Sequence, residues 1–487
     1  MTSNPIITLF NHLTQFNRSQ PPPALNDWRR KRRHLPQFVC RSAIAMKYLE
    51  FLSPLAWDQL PQRPPPPQSQ QPGVSYAAFA AACLVKLDQQ LVSMSNLRDY
   101  LLDHPELGWL LGFPCHSMPG FHGDTRPQLS LPTARHFTRL LRHMPNEVFQ
   151  RLLDSTVELL QAEFNHLGII LGETVSLDTK HILAWVTENN PKSYVSESKR
   201  LDKTRQPKGD RDCKLGCKRK RNQPPAQEQG QPFTPTKEPH SPTNFSPKDE
   251  YYWGYASGVV VSKIPGWGEV ILAELTQTFD RDDLTYFFPL LEQVERRLGR
   301  KPAYGALDAA FDAFYVYDYF YQTGGFAAVP FVGRGGFKKR VFDATGLPLC
   351  QAGLPMPLKS TYWSKSTLVE HEAGRYACPL LFPQPTASVC PVDHKNWPKG
   401  GCLTSMPTAV GARIRYQLDR NSESYKRLYN QRSANERINA QAKALGIERP
   451  KLRNRQAIVN RNTLIYILIN LRTLHRIRQC RAHSNTL

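Results

Sequence analysis

Three carboxylates lie at positions that the sequence predicts to be held by rigid backbone and partly exposed to solvent. Asp178 ends the β-rich run VSLD, Asp308 ends the run YGALD, and Glu436 lies in a charged stretch near the C-terminus. Two divalent ions about 3.5–4 Å apart can stabilise the attacking and leaving oxygens of a phosphodiester displacement. Mg²⁺ prefers oxygen ligands and retains several waters, so three carboxylates can suffice. A lone aspartate at a strand end is also a common turn former or helix cap.

A second pattern lies in the stretch YNQRSANERINAQAK, residues 429–443. With about 100° of rotation per residue, Arg432, Glu436 and Lys443 fall within roughly 60° of Tyr429 on one edge of a single helix. The opposite side carries the apolar residues expected to be buried, which are Ala434, Ile438 and Leu445. A solvated helix face with ion pairs, each contributing a few tenths of a kcal/mol, is the alternative interpretation of the same spacing.

A sheet is needed to position the two aspartates, and the sequence predicts one. Strands alternate with amphipathic helices in the order β-β-β-α-β-α-β. The strands are predicted over 174–186, 251–262, 269–278, 302–310 and 326–334, and the helices over 282–299 and 311–323. This order predicts an α/β fold with a mixed sheet flanked by helices.

Four regions are predicted along the chain. Residues 1–172 form a helical N-terminal domain, and 173–334 form the first part of the core, with a mobile basic loop over 196–249. Residues 335–420 form a β-rich insertion, because short apolar runs alternate there with Gly, Pro and Thr. Residues 421–487 complete the core with helices, the second of them over 453–480.

The charge balance indicates the kind of partner. The chain has 63 Lys and Arg against 41 Asp and Glu, a formal net charge of +22. Such a surface favours a polyanion, usually nucleic acid, with a membrane surface as the competing partner. No apolar window of about 18 residues predicts a transmembrane helix, and the N-terminus does not resemble a signal peptide. We therefore expect a cytoplasmic protein that does not interact with membranes.

The cysteines are too sparse for a disulfide scaffold, with 10 in 487 residues. A zinc site is an open alternative for four side chains in the insertion that are able to bind this ion. They lack the closely spaced CxxC pairs of strong zinc motifs. These four are Cys378, Cys390, His394 and Cys402.

The helical pattern also resembles a known family. Tyr429, Arg432, Glu436 and Lys443 match, position for position, the Y-R-E-K signature of bacterial insertion-sequence DDE transposases of the cut-and-paste type. SLDTK and GALDAAFDA resemble the two aspartate strands of that family, and residues 75–145 resemble the helical N-terminal region of one subgroup. The resemblance runs from about residue 75 to 475, although the 196–249 loop is longer than the family core requires.

The resemblance implies a ribonuclease-H-like core with a two-metal site. Asp178, Asp308 and Glu436 would be the catalytic carboxylates and would bind two Mg²⁺ or Mn²⁺ ions. Water would hydrolyse a phosphodiester at the end of the element, and the released 3′-OH would join target DNA by transesterification. The protein would thus be a nuclease and a DNA strand transferase.

The resemblance also implies the DNA contacts. Tyr429, Arg432 and Lys443 would hold phosphates of double-stranded DNA near the cut end, and the N-terminal domain would bind the terminal repeats. A homodimer is expected when two ends are paired, and the DNA-bound protein would be associated with the nucleoid. Two alternatives remain open, a DNA-binding derivative that has lost catalysis and a ribonuclease-H-like nuclease without strand transfer.

Overall fold

The computed structural model describes residues 25, 32–63, 74–113, 115–119, 125–129, 131–190, 202–218, 250–332, 340–365, 367–392 and 394–484. Within these ranges, no helix is both long enough and apolar enough to cross a membrane. The strands are β1 (Cys115–Pro119), β2 (Thr125–Leu129), β3 (Thr174–Leu183), β4 (Lys214–Lys218), β5 (Glu250–Ile264), β6 (Gly268–Thr278), β7 (Tyr304–Leu307), β8 (Phe326–Ala328), β9 (Leu358–Ser364), β10 (His371–Ala377) and β11 (Leu403–Pro407).

The helices surround these strands. They are α1 (Gln37–Cys40), α2 (Ala43–Leu52), α3 (Tyr76–Asp88), α4 (Met94–Asp103), α5 (Pro105–Leu110), α6 (Ala134–His143), α7 (Asn146–Asn165), α8 (Phe287–Leu298), α9 (Phe314–Gln322), α10 (Val410–Gln417), α11 (Glu423–Tyr429), α12 (Ser433–Ala444) and α13 (Arg455–Ser484).

The main sheet is mixed, and β3 lies near its centre. β3 pairs antiparallel with β5 on one side and parallel with β7 on the other, and β7 pairs parallel with β8. The long β5 also pairs antiparallel with β6 and, near its start, with β4. The predicted order β-β-β-α-β-α-β is therefore confirmed, with β4 as an additional short strand. The mixed α/β class, with helices flanking the sheet, is confirmed as well.

The last helix joins the two ends of the chain. α13 packs against β6 and also against the N-terminal helices α3, α6 and α7. Its buried Asn470 accepts a hydrogen bond from the backbone N–H of Ile271 at 2.9 Å and donates to the carbonyl of the same residue at 2.8 Å. An amide side chain thus satisfies backbone groups of β6 that would otherwise be buried unpaired. Residues of both ends belong to one hydrophobic core.

The prediction of helix throughout the N-terminal region is wrong for residues 115–119 and 125–129. β1 and β2 pair there as an antiparallel hairpin, with Cys115 opposite Leu129. Pro119 and Pro127 lie in this stretch, and proline is disfavoured inside a helix because it has no N–H and its ring clashes with the preceding turn.

The insertion contains the β-structure predicted for it. β9, β10 and β11 form a three-stranded antiparallel sheet with β10 in the middle. Four residues form a small buried cluster beside this sheet, namely Met356, Tyr376, Met406 and Ala412. The C-terminal part of the insertion is helical instead. It contains α10, which packs against α9 of the core.

The prediction of a mobile loop over 196–249 is wrong for the part of this segment that the structure describes, residues 202–218. Residues 214–218 form β4, which pairs with the start of β5. The adjoining Asp210 is buried and accepts hydrogen bonds from the hydroxyl of Tyr255 at 2.9 Å and from the N–H of Cys213 at 3.3 Å. These contacts order a segment that its composition alone assigns to a loop. Residues 219–249 lie outside the described residues.

The stretch 429–443 is not one continuous helix. α11 ends at Tyr429, a 3₁₀ turn spans Asn430–Arg432, and α12 begins at Ser433. This turn packs against β3 and β7, and a 3₁₀ turn advances three residues per turn, not 3.6. The apolar ridge predicted for α12 is confirmed, since Ala434, Ile438 and Leu445 are all buried.

Candidate active site

The strand register places two of the predicted carboxylates side by side. Leu177 of β3 is the parallel partner of Leu307 of β7. Asp178 and Asp308 are the next residue of each chain segment, and neighbouring strands lie about 4.8 Å apart. Asp308 then ends its strand by capping a 3₁₀ turn, because its Oδ1 accepts a hydrogen bond from the N–H of Ala310 at 2.9 Å.

The environment of these two groups disfavours their charged forms. Burial, followed by the neighbouring Asp308 carboxylate, raises the pKa of Asp178 from 3.8 to about 7. Burial likewise raises the pKa of Asp308. The positive charge of Arg432 opposes both shifts. Two carboxylates that repel each other beside a cationic group form a site whose negative charge a bound cation would stabilise.

A third carboxylate, that of Asp283, joins them. The sequence indicated this residue only as part of a helix start. The hydroxyl of Thr179 donates to Asp283 Oδ1 at 2.7 Å. Burial, and then the charge of Asp308, raises the pKa of Asp283 to about 6. The Asp282-Asp283 pair precedes α8, where acidic residues are common, so no spacing signal distinguished Asp283 from a helix cap.

The turn before α12 brings Tyr429, Arg432 and Glu436 together. Arg432 Nη2 lies 2.6 Å from Glu436 Oε1, and the guanidinium carbon of Arg432 lies 5.9 Å from the centre of the Tyr429 ring. The Glu436 side chain is 60% exposed. The positive charge of Arg432 also acts on Asp178 and Asp308, so this one cation influences the electrostatics of all three predicted carboxylates.

Lys443 has a different partner. Its ammonium lies 3.5 Å from Glu448, and the same carboxylate pairs with Lys180 at 2.6 Å. Lys180 follows Asp178 by two residues on β3, so one acidic residue pairs both with this strand and with the last residue of the predicted polar stripe. From the sequence, surface solvation and a DNA contact were both open for Lys180, and Glu448 carried no signal, because only the folded chain brings these two residues to Lys443.

Helix α12 contacts Asp178 through an amide. Asn439 Nδ2 donates to Asp178 Oδ2 at 3.0 Å, while the backbone N–H of Thr179 donates to Oδ1 at 2.9 Å. Asn439 lies close to the polar stripe identified in the sequence, but its contact with β3 follows from the docking of the helix.

The described side chains do not form a ready-made metal site. Across the described ranges, no three His, Cys, Asp or Glu side chains are already gathered in an arrangement that could hold a metal ion. That applies also to the zinc alternative in the insertion, formed by Cys378, Cys390, His394 and Cys402. The oxygen donors of Asp178 and Asp308 are nevertheless of the kind that Mg²⁺ and Mn²⁺ prefer, and they adjoin across the sheet. Their chemistry fits these ions.

Comparisons of the chain with protein-family models, curated proteins and solved structures find no match.

Proposed function

We propose that the protein is a DNA transposase of the DDE type, with a ribonuclease-H-like core. The observation that carries this proposal is that Asp178 and Asp308 adjoin on parallel strands, and that Arg432, the ion-pair partner of Glu436, lies close enough for its charge to act on both aspartates. These carboxylates come from two parallel strands and a helix separated by more than 100 residues of sequence. The Y-R-E-K spacing supports the same conclusion, because Tyr429, Arg432 and Glu436 are neighbours in space.

Each side chain has a role that follows from its chemistry. Asp178, Asp308 and Glu436 would hold two Mg²⁺ or Mn²⁺ ions, which when bound supply charge stabilisation to the attacking and leaving oxygens. The exposed Glu436 is free to turn from Arg432 toward the aspartates, since a surface ion pair contributes at most about 1 kcal/mol. Arg432 is then available for phosphate, which its planar guanidinium binds through two hydrogen bonds.

The DNA is held by the surrounding cations. Tyr429 orients Arg432 by lying under its guanidinium, and Lys443 contributes a charge to the backbone of double-stranded DNA. Such contacts give affinity and register without reading the base sequence. A homodimer would pair two element ends, and the DNA-bound protein would be associated with the nucleoid.

The test uses purified full-length protein, Mg²⁺ and a labelled duplex that carries the terminal inverted repeats flanking the gene. We expect cleavage at the end of the repeat and joining of the 3′ end to a second duplex. Glu436→Gln should abolish both steps. Glu423→Gln is the matched control, since Glu423 is also exposed and pairs with Lys426 in the preceding helix.

Three results would contradict the proposal in different ways. Full cleavage by the Glu436→Gln protein would exclude this glutamate from the chemistry. Cleavage by the unmodified protein without any joined product would identify a nuclease that does not transfer strands. Binding of the repeats with no cleavage under any Mg²⁺ or Mn²⁺ concentration would identify a DNA-binding derivative.

A further inference from the structure

The hydrogen bond between Asn439 and Asp178 is a direct polar contact from α12 to one of the two aspartates of the site. Asn439 Nδ2 and Asp178 Oδ2 are 3.0 Å apart. Glu436, one helical turn earlier, points its exposed side chain at Arg432 instead. The residue at the third position after the glutamate thus touches the site that the glutamate itself does not reach in this structure.

Helix α12 is held against the sheet by buried contacts, so the position of Asn439 is well defined. Asn435, one turn before Asn439, is fully buried and accepts a hydrogen bond from the hydroxyl of Ser176 on β3. Ala434, Ile438 and Ala442 pack the same helix onto the sheet. A donor carried on a helix that is anchored at two levels holds its acceptor in one orientation, which a donor on a loose loop does not.

The two oxygens of Asp178 are held by different donors. The N–H of Thr179 binds Oδ1, and Asn439 binds Oδ2. Together these donors fix the rotation of the carboxylate, so that its remaining lone pairs keep a constant direction. Groups that hold a metal-binding side chain in this way typically contribute 10–100-fold to metal affinity.

The carbonyl oxygen of the Asn439 side chain also bears on its role. Its Oδ1 is buried and has no hydrogen-bond partner among the described residues. A buried acceptor without a partner carries a free-energy cost of about 1–3 kcal/mol unless water or an ion satisfies it. The oxygen belongs to the same planar amide as Nδ2, so it lies within a few ångströms of the Asp178 carboxylate. An acceptor beside a carboxylate suits a hydrated cation.

We propose that Asn439 is a positioning residue that orients the Asp178 carboxylate for a divalent cation. This inference rests on the proposed function for the identity of the cation. It adds a residue outside the Y-R-E-K pattern to the machinery of the site. Replacing the amide should therefore weaken cation binding without unfolding the protein or weakening its hold on DNA.

The experiment measures Mn²⁺ binding to the full-length protein by the electron paramagnetic resonance signal of free Mn²⁺. Asn439→Leu is the main variant, because leucine has nearly the shape of asparagine and favours a helix but donates no hydrogen bond. Gln441→Ala is the control, since Gln441 is exposed on the same helix. Asp178→Asn serves as the reference for a disrupted site.

We expect Asn439→Leu to weaken Mn²⁺ binding at least tenfold and Gln441→Ala to change it less than about twofold. The unfolding temperature without metal should stay unchanged or rise, which a merely structural role would not produce. In the cleavage assay, the Mg²⁺ concentration for half-maximal rate should rise while DNA affinity remains constant. If Asn439→Leu proves unfolded, Asn439→Ala is measured in the same way.

The possible failures are distinguishable. If the unmodified protein binds no Mn²⁺, or binds it equally well after Asp178→Asn, the two-metal function itself is wrong. If the unmodified protein binds Mn²⁺ in an Asp178-dependent way and Asn439→Leu binds it equally tightly, only the role of Asn439 is overturned. Equal losses of Mn²⁺ affinity and DNA affinity would indicate a general disturbance of the helix and would also overturn it.

Discussion

Asp178→Asn should make the protein more stable at neutral and alkaline pH while abolishing the proposed DNA cleavage. In the folded chain, burial and the Asp308 carboxylate raise the pKa of Asp178 from 3.8 to about 7. The ionised carboxylate is therefore disfavoured by folding. Asparagine has nearly the same shape and no charge. Asn439 can rotate its amide by 180° and offer its unpartnered Oδ1 to the new NH₂ group.

The magnitude of this stabilisation follows from the difference between the pKa values of Asp178 in the unfolded and in the folded chain. About three units at ~1.4 kcal/mol each give an upper bound of about 4 kcal/mol. Asp178 is only half-buried, so solvent reduces this, and we expect about 2 kcal/mol at pH 8. This destabilisation of the folded protein is absent below pH 3.8, where Asp178 is protonated in both the folded and the unfolded chain. It grows as pH rises from about 4 to about 7, because only the unfolded chain loses the proton, and it is constant above.

The measurement is urea unfolding of the unmodified and Asp178→Asn proteins, without metal, from pH 5 to pH 8. The free-energy difference in favour of the variant should grow by about 1–2 kcal/mol over this range. Adding Mg²⁺ at pH 8 should stabilise the unmodified protein and leave the variant unchanged. A difference that is independent of pH, or that grows as the pH falls, would refute the assignment of a destabilised carboxylate.

Two further changes test the surroundings of the site. Glu448→Gln should tighten DNA binding about fivefold, because Lys180 and Lys443 no longer share a competing carboxylate and each exposed pair contributes under about 1 kcal/mol. Fluorescence anisotropy measures this, and unchanged affinity would show that neither lysine faces DNA. Asp312→Ala should lower the free energy of unfolding by about 3 kcal/mol, because the buried Asp312 binds Arg415 through two hydrogen bonds of 2.8 and 2.7 Å. Urea unfolding measures this, and a loss below about 1 kcal/mol would contradict it.

The elements of the core followed from local patterns. Alternating β-rich and amphipathic runs predicted the strand that contains Asp178 and the strand that Asp308 follows. The helix that carries Glu436 was also predicted, together with its buried ridge. The 3₁₀ turn that precedes it was not, because a tightening by a fraction of a residue per turn leaves no mark on side-chain periodicity.

The residues missing from the prediction share one property. Asp283, Lys180 and Asn439 contact the site through partners far away in sequence, and each has an ordinary explanation in its own segment. Asp283 reads as part of a helix start, Lys180 as a surface charge and Asn439 as one more polar residue on an exposed face. Local spacing does not distinguish these roles.

The sequence by itself determined the net charge and the order of strands and helices. These properties depend on side-chain type and on repeats within a few residues. The sequence's expectation that a carboxylate ends each of two strands is confirmed for Asp308, which follows β7, and is wrong for Asp178, because β3 continues to Leu183. The tertiary structure alone decided that Leu177 pairs with Leu307, which sets Asp178 beside Asp308, and that the 430–432 turn docks against both strands. The reason is that strand register and helix docking are selected by packing between segments more than 100 residues apart, where shape and burial act together.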